Sequence, residues 1–176
     1  MKHIIPLLLC LLLALTGFAL AEEPESSLYI QAIPGLAEDF ALGMDVSSVI
    51  ALEAAGVKYY DHAGIERDLF AILAENGVNY IRVRVWNDPF DADGNGYGGG
   101  NCDINTAIAI GKRATENGMK LLVDFHYSDF WADPAKQMLP KAWKGKRTTA
   151  KVKLLREYTA DCLSQLKKAG VDVGMV

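Results

Sequence analysis

Three times between residues 75 and 172 the chain writes the same ending: Glu-Asn-Gly-Val-Asn at 75–79, Glu-Asn-Gly-Met-Lys at 116–120, and Lys-Ala-Gly-Val-Asp at 168–172. In each, an amphipathic run meets a glycine and then a short apolar segment. Gly77, Gly118 and Gly170 suit the position just past a helix, where φ turns positive and a β-carbon is costly. The runs before them carry helical spacing. They read Ile65, Leu69, Ile72 and Leu73; then Ile104, Ala107, Ile108 and Ala114 behind Asp103 as N-cap; then Val152, Leu155, Thr159, Cys162, Leu163 and Leu166. The segments after the glycines are predicted strands over 78–86, over 119–126 and from 171, preceded by one over 42–47. Helices alternating with strands in this way join parallel strands by crossover connections.

Such a repeat builds either a (β/α)8 barrel or an open doubly wound sheet. Two features favour the barrel. No glycine-rich phosphate loop follows any strand within a short turn. In Ile-Arg-Val-Arg-Val-Trp-Asn-Asp-Pro, 81–89, alternation puts Arg82, Arg84 and Trp86 on one side and Ile81, Val83 and Val85 on the other, facing the helices. Charge on a buried strand face is costly unless paired, and a barrel interior with a polar mouth supplies partners. The expected fold is α/β: the N-terminal half of a (β/α)8 TIM barrel over residues 39–176, with about four parallel strands and three helices, broken off inside strand four.

Ahead of this domain, Lys2 and His3 precede an apolar run that ends in Ala19-Leu20-Ala21. Residues 1–21 are predicted to be a secretory signal peptide, short for a membrane span, and 22–38 a polar, flexible leader. The expected destination is extracellular or periplasmic, with no membrane association after cleavage. The net charge of −4, which becomes −5 once Lys2 is removed, argues against nucleic acid as a partner. Cys102 and Cys162 are too few for a disulfide framework and are expected to stay unpaired, and no CxxC or HxxxH spacing marks a transition-metal site. Asp91, Asp93 and Asn95 with Gly96 open like an EF-hand loop. Position twelve, however, is Cys102 and a strand precedes the loop, so the stretch is read as turn formers.

Candidate chemistry gathers at two strand ends. At the first, two guanidiniums hold carboxylates ionised while Trp86 floors a sugar; the competing reading is a structural ion-pair network. The second, Leu-Val-Asp-Phe-His-Tyr-Ser-Asp-Phe-Trp-Ala-Asp-Pro at 122–134, brings Asp124 within reach of Arg82 or Arg84. It sets His126 at the strand's end and Tyr127, Asp129 and Trp131 in the loop beyond. Pro140 and Trp143 are candidates for an extended groove wall.

Gly-Met-Asp-Val-Ser at 43–47, Arg-Val-Arg-Val-Trp-Asn-Asp-Pro, Tyr-Gly-Gly-Gly-Asn at 97–101 and Asp-Phe-His-Tyr-Ser-Asp-Phe-Trp-Ala-Asp-Pro together resemble the endo-β-1,4-galactanases of glycoside hydrolase family 53, from about Gly43 to Val176. The resemblance implies a monomeric barrel that hydrolyses β-1,4-galactan side chains of pectin with retention. An acid/base Glu after strand four and a nucleophile Glu on strand seven would stand about 5–5.5 Å apart. Both are expected beyond Val176 and no catalytic residue within 1–176, so the chain alone is expected to be inactive. The resemblance adds Asp45 as a site-supporting residue. It gives Arg82 the task of reaching towards the nucleophile and places His126 near the sugar beside the cleavage point. It implies no cofactor in this segment and leaves calcium to later loops of the full-length protein. The rival readings are a retaining mannanase or cellulase of the same clan, and a non-catalytic secreted sugar- or calcium-binding module.

Overall fold

The computed structural model describes residues 33–176, of which 39–176 form one compact unit. The signal peptide expected over 1–21 and the leader as far as residue 32 lie outside the described residues. Four strands, β1 (Gly43–Asp45), β2 (Tyr80–Val85), β3 (Lys120–Phe125) and β4 (Val173–Met175), pair in parallel in the order β1-β2-β3-β4. A doubly wound sheet reverses its strand order at a switch point; this one runs in sequence. Four helices connect the strands: α1 (Val49–Ala54), α2 (Leu69–Glu75), α3 (Ile104–Glu116) and α4 (Thr148–Lys168).

The helices cover a single face of the sheet. Ile81, Val83 and Val85 of β2 and Leu121 and Val123 of β3 are buried against Phe70 and Leu73 of α2, Ala107, Ile110 and Ala114 of α3, and Leu166 of α4. Burying an Ile or Leu of this kind stabilises by about 2 kcal/mol, so this layer fixes which strand face turns away from the helices. Gly111 lets α3 settle onto the sheet, since a β-carbon there would come within 2.6 Å of Val171 Cγ1. Asp68 caps α2 by accepting from the amides of Phe70 and Ala71, and Asp103 caps α3 by accepting from Thr106. Gly77, Gly118 and Gly170 all have positive φ, as their place after helices requires.

Three expectations about the helices change. α1 is an additional helix, closed by Gly56 (φ 87). Ile65 is outside α2; it is exposed in a hairpin bridged between Tyr60 and Glu66, because Asp68 takes the capping position. On α4 only Cys162 and Leu166 are buried, while Val152 and Leu155 are exposed. Cys102 and Cys162 are both free and buried, and burial pushes their thiols up to about 12 and about 11 respectively.

A recurring device organises three of the loops. Asp61 and Asp91 each accept hydrogen bonds from the amides two and four residues on, and each donates its own amide to the carbonyl four residues on. Asp133 closes a tighter version with Lys136. In each, the aspartate satisfies backbone donors that a solvent loop would otherwise leave to water.

Candidate functional site

The parallel register stacks the polar residues in layers on the face the helices leave free. Asp45 pairs with Arg82, and Arg84 with Asp124 one step nearer the strand ends. Alternation from the buried apolar layer therefore dictates that these four side chains share one face. Arg82 forks between the carboxylates on either side, one terminal nitrogen donating to Asp45 Oδ2 and the other to Asp124 Oδ2. The sequence leaves Asp124 a choice between two arginines; Arg82 is the one it pairs with.

Arg84 is buried and differently placed. Its backbone amide donates to Ser47 Oγ at 2.9 Å, its Nε stands 3.7 Å from Asp45 Oδ2, and that Nε has no hydrogen-bond partner among the described residues. Asp45 cannot come closer, being held by the Ser47 amide and hydroxyl and by Arg82. The guanidinium carbon lies 4.4 Å from the Trp131 ring centroid and 5.7 Å from that of Trp86.

His126 closes the array. Its Nε2 is 3.3 Å from Asp124 Oδ2, while its Nδ1 accepts from the Trp86 indole N–H at 2.9 Å and the Ala132 amide at 3.2 Å. Two donors converging on Nδ1 place the ring proton on Nε2, directed at Asp124.

Beside this array opens a cleft of about 620 Å³. Arg82, Asp124, Phe125, His126, Tyr127 and Trp131 line it at the strand ends; Ala132, Asp133, Pro134, Gln137, Met138 and Leu139 form the far wall. Trp131 is 44% exposed. Tyr127 takes a positive φ of 48, rare for a residue with a side chain; its ring stacks on Phe125 and its hydroxyl meets Thr159 Oγ1 at 3.0 Å. Val176, the residue beyond which the two catalytic glutamates are expected, directly follows β4; it is exposed and does not line the cleft.

Three expected roles are not met by the geometry. Trp86 does not floor a sugar, because it is fully buried, packed against Phe130 and roofed by Gly99, where a β-carbon would fall 2.9 Å from the indole. Asp129 does not face the cleft: it is buried and accepts from the amides of Asp88 and Lys141, tying the loop after β3 to the loop after β2. Pro140 and Trp143 do not extend a wall, since both are buried and Trp143 packs edge-on against Tyr158. The glycine run 98–100, which in sequence reads only as turn formers, has a packing role. Its sequence signal is three consecutive residues without a β-carbon, which permits close approach to Trp86 and, at Gly100, to Ser47 and Ser48. Met138 and Leu139 carry no pattern to mark them. Asp91 gives its carboxylate to the amides of Asp93 and Asn95 and to the Asn95 side chain.

Sequential parallel strands, one helical layer and polar side chains at the strand C-termini are the organisation of a (β/α)8 barrel enzyme, here in part. The family model described as glycosyl hydrolase family 53 matches residues 41–176, and the chain belongs to that family. It is 54% identical over 169 residues to an endo-β-1,4-galactanase of Bacillus subtilis, covering 92% of this chain and 39% of that protein. It is 42% identical over 134 residues to an arabinogalactan endo-β-1,4-galactanase of Humicola insolens, covering 76% of this chain and 38% of that one. The fold superposes on the family 53 catalytic domain of Ignisphaera aggregans with a TM-score of 0.80 at 44% identity, over 83% of this chain and 41% of that domain. The chain thus spans about two fifths of the length of these relatives.

Proposed function

We propose that this chain supplies the β-1,4-galactan-binding part of a secreted endo-β-1,4-galactanase that acts with retention on the galactan side chains of pectin. The observation that carries this reading is the cleft itself. An exposed indole stands beside the Arg82–Asp124–His126 array, in a family whose relatives above are named galactanases. Aromatic faces bury the apolar faces of sugar rings, and the polar groups beside them fix orientation. Asp45 and Asp124 are both paired with Arg82, which casts them as the partners that position this arginine. In this reading, as the family resemblance implies, hydrolysis draws its two glutamates from outside residues 33–176, about 5–5.5 Å apart for retention. The signal peptide proposed over residues 1–21 would deliver the protein outside the cytoplasm.

Affinity electrophoresis tests the substrate class. The chain should be retarded in gels containing β-1,4-galactan and not in gels containing mannan or carboxymethylcellulose, and should release no reducing sugar from galactan on its own. Retardation by mannan or cellulose alone would overturn the galactan reading, and reducing-sugar release would overturn the placement of the catalytic carboxylates.

A further inference from the structure

Arg84 presents an unusual combination: a cation whose side chain is 9% exposed, whose nearest carboxylate stands 3.7 Å away, whose terminal nitrogen makes a long 3.4 Å hydrogen bond to Ser48 Oγ, and whose Nε has no hydrogen-bond partner among the described residues. A buried charge this poorly paired needs a reason. Beyond Asp45 and Ser48, the guanidinium meets an aromatic face, the Trp131 ring at 4.4 Å. Trp131 lines the cleft, whereas Arg84 lines a separate hollow with Met44, Asp45, Ser47 and Ser48. The guanidinium therefore lies behind the indole as seen from the cleft. Two further contacts hold the indole in place: His126 packs edge-on at 5.8 Å, and its Nδ1 fixes the amide of the next residue, Ala132.

We propose that Arg84 is a positioning residue for sugar binding, holding Trp131 from behind so that the opposite indole face is a rigid platform for the apolar face of a galactose residue. The proposal rests on the galactan reading above and assigns it a specific surface. In galactopyranose the axial 4-oxygen leaves one ring face lined by C–H groups, and a flat indole takes that face with little side-chain ordering cost if it is already fixed. Arg84 touches no sugar in this arrangement; its effect passes wholly through Trp131.

The test is a double-mutant cycle on the whole chain, read as β-1,4-galactotetraose affinity by calorimetry, with folding checked by circular dichroism. Trp131→Ala should weaken binding about tenfold and Arg84→Ala about fivefold. In the Trp131→Ala background, Arg84→Ala should cost nothing more. Arg84→Lys, which keeps a cation behind the ring, should recover part of the loss and serves if Arg84→Ala fails to fold. Additive losses would make Arg84 a direct sugar ligand and overturn the proposal. So would unchanged affinity in Trp131→Ala, or no binding by the unaltered chain. Binding of cellotetraose or mannotetraose in place of galactotetraose, with the same dependence on Trp131 and Arg84, would keep the platform and overturn the galactan reading instead.

Discussion

The Trp86 indole donates to His126 Nδ1 at 2.9 Å, so the residue at the end of β2 sets the tautomer of the residue at the end of β3. Because Nε2 then carries the proton towards Asp124, and Asp124 holds Arg82, the indole anchors a chain of contacts that reaches β1.

Trp86→Phe tests that anchor. It removes the donor and leaves space under Gly99, and should destabilise the fold by about 2 kcal/mol in urea unfolding. The His126 ring nitrogens, followed by long-range 15N NMR, should shift towards a mixture of tautomers. A variant of wild-type stability with an unchanged ring would show that Ala132 alone fixes His126.

Asp129 is a clamp between two loops, and its removal should free them. Asp129→Ala leaves the Asp88 and Lys141 amides without their acceptor, at a cost of about 2–3 kcal/mol. Hydrogen exchange at those two amides should accelerate, while exchange within β2 and β3 stays slow. Protection that survives in the variant would place the loop contact elsewhere, for example in the Lys141–Asp88 ion pair.

A pair of glycine substitutions separates crowding from backbone strain. Gly99 (φ 63) and Gly94 (φ 82) both occupy the left-handed region, but a β-carbon at Gly94 meets nothing within 4 Å, whereas at Gly99 it meets the Trp86 ring. Gly94→Ala should cost about 1 kcal/mol of strain alone. Gly99→Ala should cost at least about 2 kcal/mol and shift the near-ultraviolet circular dichroism of the tryptophans. Equal costs at the two positions would mean that Gly99 does not roof Trp86.

Asp68 gives a pH dependence with a definite sign. Partial burial raises its carboxyl, but the Arg113 hydrogen bond and the Ala71 and Phe70 amides outweigh it, so the net displacement is downward. A folded-state value below the unfolded one, about 3.9, means the stabilisation is complete above about pH 4 and disappears as pH falls through the lowered value. Asp68→Asn keeps a capping oxygen and loses the charge. It should be less stable than wild type by about 1 kcal/mol at pH 7, with the gap closing towards pH 2. A gap that is constant across that range would mean the Arg113 pair contributes nothing.

The sequence carries the architecture because two signals agree at each repeat: an amphipathic period and a glycine at the helix end. Where only one of them is present, the element escapes notice. Ala55-Gly56-Val57 has the same form as the other three endings, but α1 ahead of it is only six residues long, too short to display a period. The site is legible as far as strand alternation reaches, since period two fixes the common face of Arg82, Arg84 and Trp86. Depth along that face is not legible. Trp86 is covered by Gly99, which the chain brings back from 13 positions further on, and no local pattern announces such a return. Asp129 is hidden for a similar reason: its partners are backbone amides, which look alike in every sequence.

The aspartate-headed turns at Asp61, Asp91 and Asp133 make each of these loops a locally closed unit, and the one at Asp133 forms part of the cleft wall. A loop built this way can be rewritten on its own. Insertions between Asp133 and the following helix would reshape the cleft wall while the apolar layer beneath, and with it foldability, is inherited unchanged. Divergence of cleft shape within this family should therefore appear as length variation after Asp133, with β2 and β3 kept constant in length.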